Sequence, residues 1–473
     1  MSQTSLPGRA AADPAAMRAP PGVLDGPIVP TLLRLALPTI VVLVVQTLVG
    51  VLETYFIGFL GTAALAGTAL VFPVLMLMQM MSNGGVGGGV ASAVARAIGA
   101  GRRDDAEALA WHAVVIAIVI GAVFCIAAVA SGPLLYRAMG GEHDTLVAAL
   151  TYSNAVFAGS IPIWIVALLS AVLRGAGNVR VPAIVTLTGA ILLIPLSPAL
   201  IFGIGPMPRL GVAGGGVAVV TYYLIGLAML IGYMRSARSP IRLRITPLSG
   251  RLFRDILGVG FLSAIGTVMS NLTVALVTAA VGRFGADAIA GYGLASRIDY
   301  MQIPVMFGLG TGLVTMVGVA TGAGQTARAT RIAWTGAGIA FVITETIGVA
   351  AALFPTAWLG LFSREPQVLA DGSLYLHTVA PFYGVVGAGM ALYFAGQGAK
   401  RVLIPLLAGT VRLIVAAGIG WLAVASWGAG LPTLFGIVAV SAVLFGGIIV
   451  SATFARTRNE DRVVAALQAS AAE

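Results

Sequence analysis

The residues best suited to carry chemistry lie in the first apolar segment, where Thr39, Gln46 and Glu53 recur every seven residues. This spacing places all three on one face of a helix, so it predicts a polar stripe along an aqueous pathway or a helix interface. Glu53, in VLETYFIGFLG, has no Lys or Arg near it along the chain. An ionised carboxylate costs at least ~2.5 kcal/mol in hydrocarbon, which favours its protonated form. We therefore expect Glu53 to bind and release a proton, with Gln46 of the same stripe as a second cation-coupling residue.

Simpler interpretations remain open for this stripe. Glu53 alternatively lies at the outer interface of the membrane, where water solvates the carboxylate. Thr39 and Gln46 alternatively form hydrogen bonds between helices, each contributing roughly 0.6 kcal/mol.

A second set of candidate acids lies in the later part of the chain. Asp299, in SRIDYMQIP, and Glu345, in VITETIG, both fall in apolar segments. Arg297 is two residues from Asp299, so the two side chains point in different directions on a helix. One prediction is an ion pair between Arg297 and Glu345 that leaves Asp299 facing a cavity. The other is a direct role of both acids in cation coupling.

Side chains suited to contacting varied organic molecules occur in several apolar segments. Methionine is flexible and polarizable, and aromatic rings stack on planar cations. The segment MLMQMMSNGG combines methionines with amides, although its four methionines cannot share one helix face. The predicted substrate-cavity residues are Thr39, Gln79, Met80, Asn83, Tyr152, Asn154, Asn271, Arg297 and Tyr383.

Sequence motifs of enzymes and metal sites are not found. The chain has no Walker loop, no HExxH, no Cys/His set with metal spacing and no nucleophile elbow. GGVGGGV has the spacing of a dinucleotide loop but follows an apolar helix instead of a strand. We expect a protein that is not an enzyme, with no cofactor or bound metal.

The composition indicates an integral membrane protein. Hydrophobic residues make up 59% of the 473 residues and charged residues only 9%, whereas a soluble domain is usually about a quarter charged. The apolar segments are long enough to cross ~30 Å of hydrocarbon as helices and lack the alternation of a membrane barrel. The fold is therefore predicted to be all-α. The net charge of +10 is assigned to loops beside lipid headgroups, and nucleic acid is not expected as a partner.

Twelve spans are predicted, near residues 32–56, 66–92, 106–130, 146–172, 182–203, 212–234, 253–281, 287–318, 332–354, 372–395, 403–425 and 433–454. They divide the chain into a disordered cytoplasmic tail, an N lobe, a linker, a C lobe and a second tail, at residues 1–30, 31–234, 235–252, 253–455 and 456–473. Prolines that could break these helices are Pro38, Pro73, Pro162, Pro195, Pro304 and Pro381.

The distribution of basic residues predicts the orientation. Loops after even-numbered spans, together with the C-terminal tail, hold 18 Lys and Arg residues, and loops after odd-numbered spans hold four. The positive-inside rule then places both termini in the cytoplasm. We expect a multi-pass protein of a bacterial inner membrane.

The two halves of the chain repeat one another. FLGTAALAG from Phe59 matches RFGADAIAG from Arg283, and IGAGRRDDA from Ile98 matches TGAGQTARA from Thr321. LRGAGNVRVP from Leu173 matches FAGQGAKRVLIP from Phe394, at a nearly constant offset of 221 to 224 residues. Because each half has six spans, the halves are parallel repeats about an axis along the membrane normal.

These segments resemble the multidrug and toxic compound extrusion (MATE) transporters, and the resemblance covers residues 32–454. It rests on LALPTIVVLVVQTLVGVLETYFIGFLGTAALAG, VARAIGAGRRDDA, AVLRGAGNVRVP, LIFG with LGVAGGGVA, and their counterparts in the second half. The resemblance implies two six-helix lobes around a central cavity. It also implies export of organic, often cationic, compounds by alternating access, coupled to protons or sodium. A monomer in the lipid bilayer is expected.

The family commonly has an aspartate at the place of Glu53, tied to cation coupling. The sequence is placed closer to the DinF-like branch than to the NorM branch, but it departs from both patterns. LIPLSPALIFG has Leu193 and Ser197 where DinF-like members have Asn and Asp, and SNLTVAL lacks the NorM-type glutamate. A single carboxylate supplies few of the oxygen ligands that sodium prefers, so protons are favoured. Sodium coupling, or a lipid-linked oligosaccharide flippase of the same superfamily, remains the alternative.

Overall fold

The computed structural model describes the backbone of residues 22–470 and the side chains of residues 22–460 and 462. All regular elements in this part of the chain are helical. The first half contains α1 Ile28–Gly58, α2 Thr62–Met80, α3 Gly87–Gly99, α4 Arg103–Ala138, α5 His143–Ala158, α6 Ser160–Gly175, α7 Arg180–Phe202 and α8 Val212–Arg235. The second half contains α9 Gly250–Gly282, α10 Ala286–Gly322, α11 Thr326–Leu353, α12 Pro355–Leu359, α13 Pro366–Val379, α14 Tyr383–Gly398, α15 Leu403–Leu413, α16 Gly420–Ser426 and α17 Leu431–Ser470.

Every predicted span corresponds to one of these helices or helix runs. Within the described residues, eleven runs are long and apolar enough to cross a membrane, and the pair α5 and α6 makes a twelfth. The twelve-helix, all-α fold with two six-helix halves around a central cavity is therefore confirmed. Residues 1–21 of the predicted N-terminal tail and residues 471–473 of the predicted C-terminal tail lie outside the described residues.

Several spans are irregular within their length. α5 and α6 meet at a 49° bend at Gly159, near Pro162, and a 3₁₀ turn that contains Pro381 separates α13 from α14. The other four prolines lie inside continuous helices. One turn of π-helix, Met81–Val86, joins α2 to α3. Such π turns often occur at functional sites.

The repeat predicted from the sequence has a backbone counterpart. Gly61 precedes α2 with φ of 106°, and Gly285 precedes α10 with φ of 104°. L side chains rarely adopt this conformation, so glycine is required at both turns. The two residues are 224 positions apart, as are the matching segments around them.

The two halves meet at one end of the bundle, where small residues allow close helix contact. A Cβ added to Gly308 of α10 would lie 3.1 Å from the carbonyl oxygen of Ala36 in α1. A Cβ added to Gly89 of α3 would lie 2.5 Å from the carbonyl oxygen of Ile256 in α9. Beyond Ile40, many α1 side chains are exposed, including Val41 and Val51. We call the end where the halves meet the closed end.

Ion pairs add to this contact, two of them between the halves and one, Lys400 with Asp255, within the second half. Arg96 of α3 donates to Asp255 of α9 at 3.1 Å, and Lys400 donates to the same carboxylate at 2.6 Å. Asp105 of α4 accepts from Arg251 of α9 at 2.5 Å. Together these five residues are the closed-end ion pairs. Since the Arg96 side chain is only 10% exposed, its pairing with Asp255 is less screened by water than a surface pair.

Replacing Gly89 by alanine should weaken the packing at the closed end. The new methyl group would press on the backbone of α9, which cannot move away as a flexible side chain could, at an expected cost of about 1–3 kcal/mol. Gly338→Ala is the matched control because a Cβ there meets nothing within 4 Å. Thermal unfolding in detergent should show a lower apparent Tm for Gly89→Ala alone. Equal melting of the two variants would contradict the packing described for α3 and α9.

Candidate functional site

A polar cavity, partly open to its surroundings, lies in the first half. Its polar lining comes from five elements. These residues are Thr39 and Gln46 of α1, Ser82 and Asn83 of the π turn, Ser170 and Arg174 of α6, Thr186 of α7, and Tyr222 and Tyr223 of α8. Phe307 of α10 closes the cavity from the second half. We call this space the N-lobe cavity.

Two of the three residues in the predicted polar stripe line this cavity. Thr39 is buried, and Gln46 lies beside the hydroxyl of Tyr222. Glu53 is not among the lining residues, because it lies about 10 Å further along α1 at 1.5 Å per residue. The stripe therefore runs from the cavity toward a separate carboxylate site.

Glu53 is held by a hydroxyl group from another helix. Tyr152 of α5, only 6% exposed, donates its hydroxyl hydrogen to Oε1 of Glu53 at 2.9 Å. No Lys or Arg side chain of the described residues lies within 4 Å of the carboxylate. Glu53 is itself partly buried, with Ile57 and Tyr223 nearby. The carboxylate thus has a neutral hydrogen-bond donor and no permanent cationic partner.

The backbone of α8 makes room for this carboxylate. Gly215 faces Glu53 so closely that an added Cβ would lie 3.2 Å from Oε1 of Glu53 and 3.3 Å from Cδ1 of Ile57. It would also lie 3.5 Å from the ring of Tyr152. A glutamate is one methylene longer than an aspartate, and the absence of a side chain at residue 215 accommodates that length.

In the second half, Asp299 has a similar environment. Tyr375 of α13 donates to Oδ2 of Asp299 at 2.8 Å, and Tyr383 lies beside the same carboxylate. Tyr375 is 223 residues after Tyr152, the offset of the sequence repeat. Each half therefore binds one carboxylate through the equivalent tyrosine, although the acids come from non-equivalent helices, α1 and α10.

Arg297 and Glu345 do not form the ion pair predicted as one alternative. The exposed guanidinium of Arg297 lies over the ring of Phe362, 5.5 Å from its centroid. Glu345 instead accepts a hydrogen bond from the backbone N–H of Gly384 at 2.7 Å. The prediction failed because residues distant in sequence, Phe362 and Gly384, supply the contacts.

The other predicted cavity residues are dispersed. Asn83 lines the N-lobe cavity, and Asn271 of α9 approaches Sδ of Met80 at 3.6 Å across the two halves. Gln79 is partly buried one turn before Asn83. Asn154 is exposed and does not line the cavity. It is two residues from Tyr152, so it points in another direction on α5.

Arg174 follows the fourth predicted span and is one of the 18 basic residues that the sequence assigned to cytoplasmic loops and the C-terminal tail. The structure places it in the last turn of α6, 8% exposed, in the lining of the N-lobe cavity. It also lines a second, smaller space between the halves. The only sequence signal was its position at the end of an apolar run, which is equally typical of a loop arginine.

The fold and the site together define a class of protein. Twelve helical spans form two pseudo-symmetric halves, with a polar cavity in the first half and partly buried carboxylates in both. This is the architecture of a multi-pass membrane transporter rather than of an enzyme.

The MatE family profile matches residues 38–199 and 263–422, which together make up more than half of the chain. The chain therefore belongs to the MatE family. The predicted family is thereby confirmed, and the two matched segments fall in the two halves of the fold.

Similar proteins include named transporters. A probable multidrug resistance protein NorM of Thermotoga maritima is 29% identical over 378 residues, covering 80% of this chain and 81% of the relative. An FAD transporter of Shewanella oneidensis is 26% identical over 398 residues, covering 83% of this chain and 87% of the relative. Because several similar relatives carry the name NorM, the predicted closeness to the DinF-like branch is not confirmed.

Solved structures share the fold. A MATE protein in the bent conformation superposes with a TM-score of 0.86 at 22% identity, covering 95% of this chain and all of the other. A MOP superfamily transporter from Pyrococcus furiosus superposes with a TM-score of 0.84 at 23% identity, covering 93% of this chain and 98% of the other.

Substituting Gly215 by alanine should disturb the Glu53 site. The methyl group would crowd Oε1 of Glu53 and Cδ1 of Ile57, so the carboxylate would move away from Tyr152. We expect a several-fold loss of transport by purified protein in liposomes. Gly232→Ala, on the same helix with nothing within 4 Å of the added Cβ, should keep full activity. Full activity of both variants would show that the fit around Glu53 does not matter for transport.

Proposed function

We propose that the chain is a secondary multidrug exporter that moves organic, often cationic, compounds out of the cell in exchange for protons. The observation that carries this proposal is the carboxylate of Glu53, hydrogen-bonded to Tyr152 and without a basic partner. Membership of the MatE family and the relatives named as multidrug resistance proteins support the transport of drugs.

The Glu53 site suits a proton better than a permanent cation. When Glu53 is ionised, the Tyr152 hydroxyl donates to it at 2.9 Å. When Glu53 is protonated, the buried charge disappears and the carboxyl O–H becomes a donor that needs another acceptor. Proton binding therefore changes both the charge and the hydrogen bonding between α1 and α5, and this can favour one conformation over another.

Sodium coupling is the less favoured alternative. A sodium site needs several oxygen ligands at once, and the surroundings of Glu53 offer one carboxylate and one tyrosine hydroxyl beside apolar Ile57. No cluster of three or more His, Cys, Asp or Glu residues suited to a metal occurs in the described residues. A lipid-linked oligosaccharide flippase also remains an alternative, because Arg174 supplies one buried cation to the N-lobe cavity.

We further propose that the closed end faces the cytoplasm. The loops at this end carry most of the arginines, and the positive-inside rule assigns them to the cytoplasmic side of a bacterial inner membrane, with both termini there. The structure would then represent a state open to the outside. Breaking the closed-end ion pairs and the glycine contacts would allow the opposite state, which gives alternating access.

Transport in this scheme needs no cofactor other than the ion gradient, and the protein acts as a monomer in the bilayer. A ligand shifts the balance of the two states only by its different affinity for each state. Proton and drug therefore compete, either directly or through the conformation of the two halves.

Glu53→Gln should abolish proton-driven transport. Glutamine keeps the shape of the side chain and an acceptor for Tyr152 but cannot exchange a proton. Ethidium efflux from liposomes under an imposed pH gradient, measured with and without sodium, should fall to background while expression stays normal. Glu365→Gln, at an exposed carboxylate before α13, is the matched control.

Two results would overturn this role of Glu53. Proton-driven efflux by Glu53→Gln at the unmodified rate would exclude it as the coupling residue. A strict requirement for sodium in the unmodified protein would move the assignment to the sodium-coupled alternative.

Asp255→Asn should favour a second conformation, in which the two halves separate at the end where they meet in this structure. It leaves the buried Arg96 without its carboxylate, at a cost of about 1–3 kcal/mol. With Cys125 replaced by serine, spin labels at Thr62→Cys and Ala286→Cys would report distances at the opposite end by double electron–electron resonance. The distribution should shift to shorter distances. Glu460→Gln, which removes two exposed ion pairs within the second half, should leave the distribution unchanged. An unchanged distribution in Asp255→Asn would contradict the gating role.

A further inference from the structure

We propose that Arg174 binds an anionic group, a carboxylate or phosphate, of an aromatic molecule held in the N-lobe cavity. This proposal names a substrate class for the transporter and in that respect rests on the proposed function. It predicts that anionic and zwitterionic compounds, and not only cations, are ligands of this protein.

The first observation is the position and isolation of the Arg174 guanidinium. The residue is 8% exposed, and its Nε has no hydrogen-bond partner in the described residues. No acidic side chain in the described part of the chain pairs with it. A buried cation without a partner is costly, so an anion in the adjoining space would be strongly attracted.

Other arginines of the bundle illustrate the contrast. Arg96 is paired with Asp255, and Arg328 donates to the backbone carbonyl oxygens of Val23 and Gly26 at 2.8 and 2.6 Å. Arg412, whose Nε is also without a partner, lies over the ring of Phe445 and lines neither cavity. Among these arginines, only Arg174 combines burial, a missing partner and adjoining open space.

The second observation is the character of the N-lobe cavity. Arg174 is its one charged lining residue, and Asn83, Ser170 and Gln46 add neutral hydrogen-bonding groups. A cavity with one cation, no carboxylate and several neutral donors is complementary to a single negative group.

The aromatic side chains of the cavity indicate the rest of the ligand. Tyr222 and Tyr223 lie on one side with ring centroids 4.6 Å apart, and Phe307 of the second half also lines the space. These rings offer apolar faces to a planar ligand. An anionic group attached to an aromatic body would therefore match the lining.

The position of Arg174 also connects the site to the contact between the halves. Thr315 of α10 donates its hydroxyl hydrogen to the carbonyl oxygen of Arg174 at 2.9 Å. An anion on the guanidinium would therefore bind beside a contact between the two halves.

Binding measurements on purified protein in lipid-free detergent test the proposal directly. Norfloxacin and its ethyl ester differ by the carboxylate, whereas 4-methylumbelliferyl phosphate and 4-methylumbelliferone differ by the phosphate. For at least one pair, the unmodified protein should bind the anionic member about 10- to 100-fold more tightly, as expected for a charge-assisted hydrogen bond. The pair that shows the preference identifies the anionic group.

Two variants should remove this preference. Arg174→Gln deletes the cation. Ser170→Asp places a carboxylate four residues before Arg174 on α6, in the same cavity lining. This carboxylate can form an ion pair with the guanidinium, so the buried charge stays paired and the ligand's anionic group is excluded. The matched control Arg180→Gln, which changes an exposed arginine nearby in sequence, should keep the preference.

The proposal is overturned if the unmodified protein binds both members of each pair equally. It is also overturned if the preference survives in Ser170→Asp or in a folded Arg174→Gln protein.

Ethidium, which has no anionic group, reports folding, since its binding should persist in every variant. If Arg174→Gln fails to bind ethidium, Ser170→Asp decides the question. Failure of the unmodified protein to move ethidium under a pH gradient would refute the proposed function while leaving the binding preference to be judged separately.

Discussion

The structure depends on how ionisable groups are accommodated inside a helical bundle surrounded by hydrocarbon. Glu53 and Asp299 each accept a hydrogen bond from a tyrosine, Tyr152 and Tyr375, instead of pairing with a base. A permanent ion pair would fix the charge of the acid in every state, whereas a neutral hydroxyl stabilises the carboxylate and still permits it to be protonated. The two tyrosines occupy equivalent places in the repeat. Each half therefore holds a carboxylate by the same kind of hydrogen bond.

The contact between the halves has a different physical basis. It depends on small residues, such as Gly89 and Gly308, that bring helix backbones together, and on ion pairs at the end where water can reach them. Close packing between apolar helices is short-ranged, so a modest rotation of one half would remove it almost entirely. Partly exposed ion pairs are also replaceable by hydration.

Arg174 takes part both in the accommodation of charge inside the bundle and in the contact between the halves. It belongs to the N-lobe cavity and, through its carbonyl oxygen, to the contact with Thr315 of the second half. Its cationic group stands in a cavity whose lining has no carboxylate. The electrostatic character of the cavity is therefore determined by one residue, while the acids proposed for proton exchange lie elsewhere in the bundle.

The sequence by itself determined the membrane class, the helical fold, twelve spans and the repeat, because hydrophobic length and a constant offset are properties of the chain alone. It also singled out Glu53 and the seven-residue stripe on α1. Only the tertiary structure decided which side chains meet: Tyr152 with Glu53, Tyr375 with Asp299, and Gly384 instead of Arg297 with Glu345. The tertiary structure also showed that Arg174, which the sequence assigned to a loop, lines the N-lobe cavity. Partners that are 39 to 99 residues apart depend on how helices pack and rotate, and no local pattern encodes that geometry.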